Sequence, residues 1–378
     1  MTVDVQEVRN RRDAREFVGL PGHIHKDNPL WVPPLYRDER SKLNRKKNLA
    51  FRYCDAVFAL ARADRAVVGR IAGIINHRHN ETSGRKVARF GFLECANHGE
   101  ALRSLLDFVE KWALARGVQR LVGPMGFTDQ DPEGLLIEGF AEEPSIGSYM
   151  NRSYLPTLIE QCGYVKEVDY VVYLVPVGDR NPDIYETVHQ RLLQTNRYRL
   201  LEFRKRRTLR PFVKTILELV NETFHGLYGF EPLDDAEIKE LARAYMPVID
   251  PRFVKLVTCE GEPIGFILGV PNMNDGFRAS RGRLWPLGLF KILLSARRSK
   301  RLDLLLGAIK PRHRGTGLDV LLGRAMVESA RTAGMSYIDS HHELESNHKM
   351  RREMERAGGR EYKRFRIYGK DLKAGMTV

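Results

Sequence analysis

The feature that most constrains this chain is that it repeats itself. Residues 66–76 read AVVGRIAGIIN and residues 262–272 read EPIGFILGVPN. Aligned without gaps, they share Gly69 with Gly265, Ile71 with Ile267, Gly73 with Gly269 and Asn76 with Asn272. A short polar turn precedes each, Ala63-Asp64-Arg65 in one and Glu260-Gly261 in the other, and before the turns come apolar runs at 56–60 and 253–257. That order predicts a β-hairpin in each half. A self-similar chain is read first by its repeat, because missing it miscalls the whole fold.

The likeness continues downstream. The first half predicts a strand over 90–95, a helix over 101–115 with Gly117 as C-cap, and a strand over 120–123. The second predicts a strand over 304–310, a helix over 318–332 with Gly334 as C-cap, and a strand over 337–340. Each half adds another helix ending at glycine (154–163 and 349–359) and a last strand (169–175 and 362–368). The expectation is a duplicated α/β domain with a mixed sheet: an N-terminal copy over 1–178, a linker over 179–200 and a C-terminal copy over 201–378. A chain of 378 residues suits two domains of average size. The copies differ by insertions. From Asn76 to Gly117 is 41 residues but from Asn272 to Gly334 is 62, whereas the first copy carries its excess at 124–148. Loops this long in compact domains are often functional.

Chemistry concentrates at the junction KPRHRGTGL, residues 310–318, between a predicted strand and a predicted helix. It contains Arg312-x-x-Gly315-x-Gly317. Glycines let backbone N–H groups approach a phosphate, and a helix N-terminus adds partial positive charge. Arg312 and Arg314 add charge-assisted hydrogen bonds to the same anion. The equivalent stretch of the first copy, 95–101, has one glycine, no arginine and Glu100 near the helix start, where a carboxylate repels a diphosphate.

This loop resembles the R/Q-x-x-G-x-G/A pyrophosphate loop of the GNAT N-acyltransferase superfamily, and the element order is that of its fold. The segments LWVPPL (30–35), FGF (90–92), YGFEP (228–232), PVIDP (247–251) and YKRFRIY (362–368) resemble a bacterial tandem-GNAT family that includes the acyl-CoA-dependent bacterial ceramide synthases. The resemblance implies two tandem GNAT domains, the second gripping acyl-CoA through Arg312, Arg314, Gly315, Thr316, Gly317 and Leu318. It implies that a backbone N–H of Gly307, Ala308 or Ile309 polarises the thioester carbonyl, and that an amine, such as a sphingoid base, accepts the acyl group. It leaves the first copy without CoA.

Candidate acid–base groups lie in DSHHELESN, residues 339–347. A histidine titrating near neutrality or a carboxylate in a dry cleft can strip an ammonium proton, which points to His341, His342 and Glu345. Period-two alternation puts Asp339 on the face of His341. Asn347, which matches the Asn of the family's acidic-x-Asn pattern, is a candidate substrate-binding residue, yet Ser346 and Asn347 also suit a helix N-cap. Many GNAT enzymes place a tyrosine seven residues after this Asn to protonate the thiolate; here the position is Met354. Tyr228 is a candidate for lining the acceptor site or for a turn.

The chain carries a net charge of +14, which implies an anionic partner. Eight of its cations and no acid fall in 277–302, around the run LWPLGLFKILL (284–294). Read as a helix from Leu287, this is an interfacial segment for an anionic membrane surface; its leucines argue against nucleic acid. No apolar stretch reaches the roughly 20 residues of a spanning helix, and residues 1–17 lack a signal-peptide core. The four cysteines form no CxxC pair, so neither zinc nor a disulfide framework is expected, and no metal is assigned. A cytoplasmic protein, peripheral on the membrane's inner face, is the expectation. Two alternatives stay open: an aminoacyl-tRNA donor, and a non-catalytic lipid- or nucleic-acid-binding module.

Overall fold

The computed structural model describes residues 2–181, 183–195 and 197–373. Met1, residues 374–378, and Pro182 and Asn196 of the predicted linker lie outside them. In chain order the strands are β1 Val3–Glu7, β2 Cys54–Ala63, β3 Ala66–Asn76, β4 Val87–Cys95, β5 Arg120–Gly123, β6 Leu135–Glu138, β7 Val165–Pro176, β8 Tyr198–Glu202, β9 Val254–Cys259, β10 Glu262–Pro271, β11 Arg301–Ile309, β12 Tyr337–Asp339, β13 Glu343–Leu344 and β14 Arg360–Asp371.

Both predicted hairpins form, β2–β3 and β9–β10, and their turns show why. Asp64 and Arg65 sit at φ 47° and 69°, and Glu260 and Gly261 at φ 53° and 85°. Two consecutive positive-φ residues make the two-residue turn whose twist matches that of paired strands. Two of the four helices predicted to end at glycine are the long ones, and both do so, Gly99–Leu114 before Gly117 and Leu318–Thr332 before Gly334, at φ 74° and 69°.

The repeated glycines have diverged in use. A Cβ on Gly69 would stand 2.7 Å from Leu105 Cδ1, and one on Gly73 2.9 Å from Val109 Cγ1, so both let the helix Gly99–Leu114 lie close on β3. That helix buries Ala101, Leu102, Leu105, Leu106, Val109 and Ala113 along one stripe, each large side chain contributing about 1.5–3 kcal/mol before entropy. In the second half a Cβ on Gly265 would instead meet Ala308 O at 3.0 Å, so there the glycine faces β11.

The chain packs as two units drawn from separated stretches. One holds the chain up to Val171, Asn274–Ile292 and the chain from Tyr362; the other holds Val172–Met273 and Leu293–Glu361. The first unit's sheet runs β1-β2-β3-β4-β5-β14, with Tyr368 opposite Gly123 and Asp371 opposite Arg120. In the second, β8-β9-β10-β11-β12 is continued by the end of β7, with Tyr337 opposite Pro176 and Asp339 opposite Leu174. The strand that closes each repeat in sequence is thus counted in the other repeat's sheet. The stretch predicted as a linker is built as the helix Asp183–Gln194 and leads into β8, which pairs with β9.

Candidate active site

All the residues singled out for donor, acceptor and base fall in the unit made of Val172–Met273 and Leu293–Glu361. At its centre β11 and β12 pair in parallel over only three positions, Arg301 with Tyr337, Leu302 with Ile338 and Asp303 with Asp339. Beyond them the strands part, while β11 stays paired with β10 as far as Ile309 opposite Gly265. Leu268 faces Leu306 and Gly269 faces Leu304, so Leu305 is the extra residue of a β-bulge that bends β11 where its other edge opens.

That edge selects among the predicted carbonyl-polarising donors. Lys310 N–H donates to Ile264 O at 2.8 Å. Residues two apart on an antiparallel strand share an edge, so Ala308 also faces β10 and its N–H belongs to the ladder. Gly307 and Ile309 face the open side. Ile309 O there accepts from Arg314 Nε at 3.0 Å. Of the three, only Gly307 and Ile309 are turned so that an N–H reaches a ligand lying along the open edge.

The strand ends in a turn with the local geometry of an anion cradle. Gly315 and Gly317 have φ of 76° and 95°. Thr316 Oγ1 donates to His313 O at 2.8 Å and closes the turn. A Cβ on Gly315 would project into open space, whereas one on Gly317 would strike Val188 Cγ1 at 2.6 Å. Gly317 caps the helix Leu318–Thr332 without a side-chain acceptor, which leaves the first-turn N–H groups starting at Leu318 unserved from within the helix. Arg312 and Arg314 are exposed beside them. Arg312 Nη2 meets Glu262 at 2.5 Å, and Lys310 Nζ meets Glu222 at 2.7 Å and Glu262 at 3.0 Å. The hydrogen bond from Lys310 holds the Glu262 carboxyl below the usual carboxylate range. Glu262 and Arg312 are about half exposed, so the pair between them is weak and open to exchange for a stronger anion.

The acid–base candidates separate sharply. Asp339 and Asp303 are fully buried. Arg301 bonds both, Asn272 Nδ2 donates to Asp303 at 2.8 Å, and Asp339 Oδ1 accepts from His341 N–H at 2.7 Å. This cluster ties β11 to β12 just before they part, which makes Asp339 structural; a lone partner removed here would strand a buried charge. His341 takes φ 60°, and its ring lies 4.9 Å from that of His342. Glu345 is half-buried, and its backbone carbonyl accepts from Arg351 Nη1 at 3.1 Å. Asn347 Oδ1 accepts from Met350 N–H at 3.4 Å, so Asn347 caps the helix His348–Arg356. Met354, where a tyrosine acid was looked for, packs with Val175, Leu302 and Met326 in the core.

Sequence reasoning passed over Glu343. It stands on β13, beyond the point where β12 leaves β11, and burial alone pushes its carboxyl up to about 8. A carboxyl with that value exchanges its proton near neutrality, which is what a general base needs. The only signal in the sequence was its place within the run of acids and histidines, which does not distinguish it from Glu345.

Tyr228 lies in the turn after the helix Val213–Thr223. On either side of it Phe224 and Phe230 meet edge-on, 5.6 Å apart, and pack on the buried cluster of Leu219, Val220, Phe266 and Leu268, on which Leu305, Leu306 and Ala308 of β11 also pack. Thr223 O accepts from Arg314 Nη2 at 3.3 Å, so this turn and the glycine turn are fastened together. A separate cleft of about 630 Å³ opens between residues 206–214 and the helix Asp235–Tyr245, lined by Arg206, Arg210, Lys214 and Lys239; none of the donor residues borders it.

The corresponding place in the other repeat is filled. β4 and β5 also pair over three positions and then part. Here Met125 N–H donates to Phe90 O at 2.8 Å, Tyr154 Oη to Cys95 O at 2.9 Å, and Tyr149 Oη to Leu93 O, so the carbonyls of the opened edge are taken. A Cβ on Gly91 would lie 2.2 Å from Met125 O, which shows how closely the backbone of 124–127 fills the gap. Asn151 pairs with both the N–H and the carbonyl of Leu136, at 2.8 and 3.1 Å, as a strand would. The helix Gly99–Leu114 has its own cap, His98 Nδ1, which accepts from Ala101 N–H at 3.2 Å. Among the described residues no three His, Cys, Asp or Glu side chains are grouped to hold a metal ion.

No protein-family model matches the chain. It is 28% identical over 389 residues to the bacterial ceramide synthase of Caulobacter vibrioides (strain NA1000 / CB15N), covering 98% of each chain. It is 24% identical over 382 residues to protein YghO of Escherichia coli (strain K12), covering 97% of this chain and 95% of that one. Among solved structures, a tandem GNAT protein from the clavulanic acid biosynthesis pathway superposes with a TM-score of 0.57 at 13% identity, over 99% of this chain and 100% of that one. A GCN5-related N-acetyltransferase from Sphaerobacter thermophilus does so with a TM-score of 0.52 at 14% identity, over 100% and 98%.

Proposed function

Because this chain has a tandem GNAT fold, that of N-acyltransferases, we propose that its C-terminal repeat binds an acyl-CoA thioester and transfers the acyl group to a primary amine, with a long-chain amino alcohol as acceptor. The observation that carries the reading is the turn at residues 312–318: two positive-φ glycines and an uncapped helix start follow a strand whose edge has just been opened. The filled gap and His98 cap of the other repeat support a single donor site per chain. Full-length similarity to a protein named bacterial ceramide synthase supports the acceptor class.

In this reading the diphosphate of CoA lies on the N–H groups beginning at Gly315 and exchanges for Glu262 at Arg312. The thioester follows the open edge of β11, where the N–H of Gly307 or Ile309 donates to the carbonyl oxygen as negative charge develops on it. The neutral amine nitrogen attacks the thioester carbon, the carbon–sulfur bond breaks, and the products are an amide and the CoA thiol. Glu343 accepts the proton lost from the amine, and the thiolate is protonated from solvent, since Met354 has no proton to give. Glu345, His341 and His342 flank the base, and Tyr228 borders the acceptor.

The test is a matrix of acyl-CoAs and amines, with thiol release and N-acyl product measured together. Equimolar thiol and amide with a long-chain amino alcohol support the proposal. Thiol release without amide, or no affinity for any acyl-CoA, refutes it.

A further inference from the structure

The proposed reaction leaves one conspicuous surface unused, the segment from Arg281 to Arg298. Its helix, Gly288–Arg298, is amphipathic the wrong way round for an ordinary surface helix. The inward face is small and committed: Ile292 is buried, and Gly288 sits so tightly that a Cβ there would lie 1.7 Å from Arg283 O. The outward face carries the apolar bulk. Trp285 is 85% exposed, Phe290 65%, Leu287 63%, Leu289 51% and Leu293 38%. Leu289, Phe290 and Leu293 share one helical side at i, i+3 and i+4 spacing.

The charges within this stretch of chain are of one sign. Of the eight cations predicted to act together, the structure withdraws two that bond internal acids: Arg278 meets Glu143 at 2.7 Å, and Arg301 bonds Asp303 and Asp339. Lys300, beyond the helix, donates to Gly334 O at 2.9 Å; the remaining five, Arg281, Arg283, Lys291, Arg297 and Arg298, are exposed, and residues 276–302 contain no acid to neutralise them. A matching partner must be apolar and anionic at once. Nucleic acid supplies phosphates but no apolar matrix for Leu287, Leu289 and Leu293. A bilayer interface supplies both, and tryptophan is the residue that favours it.

We propose that residues 281–298 dock this protein on an anionic lipid bilayer, with Trp285, Leu287, Leu289, Phe290 and Leu293 entering the boundary between headgroups and acyl chains while the five cations meet lipid phosphates. No helix among the described residues is long and apolar enough to cross a membrane. The proposal stands apart from acyl transfer, because its test needs neither acyl-CoA nor turnover.

The full chain is floated with vesicles of phosphatidylcholine alone and of phosphatidylcholine with 30% phosphatidylglycerol. Binding is expected to the anionic vesicles, weakening as salt rises. Brominated acyl chains should quench tryptophan emission in the parent and not in Trp285→Phe. Leu289→Ser/Phe290→Ser should bind at least about tenfold more weakly, as should Arg297→Glu/Arg298→Glu, which reverses two charges facing such a surface. All these side chains are exposed, so circular dichroism and Tm should be unchanged. Equal binding to both vesicle types, no binding, or unaltered binding by both double variants overturns the proposal. So does a dimer in solution that Leu289→Ser/Phe290→Ser makes monomeric while vesicle binding is untouched, since a second copy would then be the occupant.

Discussion

Gly315 offers the cleanest separation of charge from shape in the donor turn. Its Cβ position points into open space, with no protein atom within 4 Å of a Cβ placed there. Alanine at φ 76° costs about 1–2 kcal/mol of backbone strain, borne equally by the free and bound protein unless the turn relaxes. Gly315→Ala should therefore lower Tm slightly and change acyl-CoA affinity little. Gly315→Glu adds the same strain and one negative charge facing the bound diphosphate. With two unit charges about 6 Å away at an effective dielectric of about 40, the repulsion is about 3 kcal/mol, or a Kd weakened about 100-fold. Isothermal titration of both variants with acyl-CoA, at low and high ionic strength, measures the difference directly. It should shrink as salt screens the exposed turn. If Gly315→Glu and Gly315→Ala bind alike at low salt, no diphosphate lies on this turn, and the donor assignment fails.

Removing the resident carboxylate should act in the opposite sense: Glu262→Gln releases Arg312, while Lys310 keeps Glu222, and is expected to tighten acyl-CoA binding several-fold, with no gain in an Arg312→Ala background by titration. Glu343 predicts a pH dependence of both rate and stability. As the base it must be ionised, so kcat/KM should rise with pH up to about 8, and Glu343→Gln should lose most of the rate; a full rate in that variant with a loss in Glu345→Gln would move the role to Glu345. The folded carboxyl keeps its proton up to about 8, whereas the unfolded one ionises near 4.5, so the folded state binds more protons between those values. Stability should accordingly fall from about pH 5 to pH 8 and then level, and urea melts of Glu343→Gln should lack that decline. Asn347→Ala removes a helix cap and should cost about 1 kcal/mol without changing KM for the amine; a raised KM at unchanged Tm would make Asn347 a substrate ligand.

Much of the architecture could be read from residue order alone. The two hairpins, both long helices with their glycine ends, and the basic glycine turn rest on local rules: twist at a two-residue turn, apolar spacing along a helix, positive φ at a cap. Those rules involve neighbours within a few positions, so a linear chain displays them. The helix in 281–298 and its apolar content were likewise visible, but which of its sides faced outward was not.

What lay beyond the sequence depended on partners far away in the chain. Period-two alternation tells which face of a strand is buried and is silent about its edge, so nothing in 169–175 or 362–368 announced that β7 would end beside β12 and β14 beside β5. The same silence hid the β10-facing N–H of Ala308, which follows from a register with residues some forty positions earlier. Glu343 and Glu345 differ by two places and carry the same side chain. Only the folded surroundings, by taking water away from Glu343, push its carboxyl up to about 8.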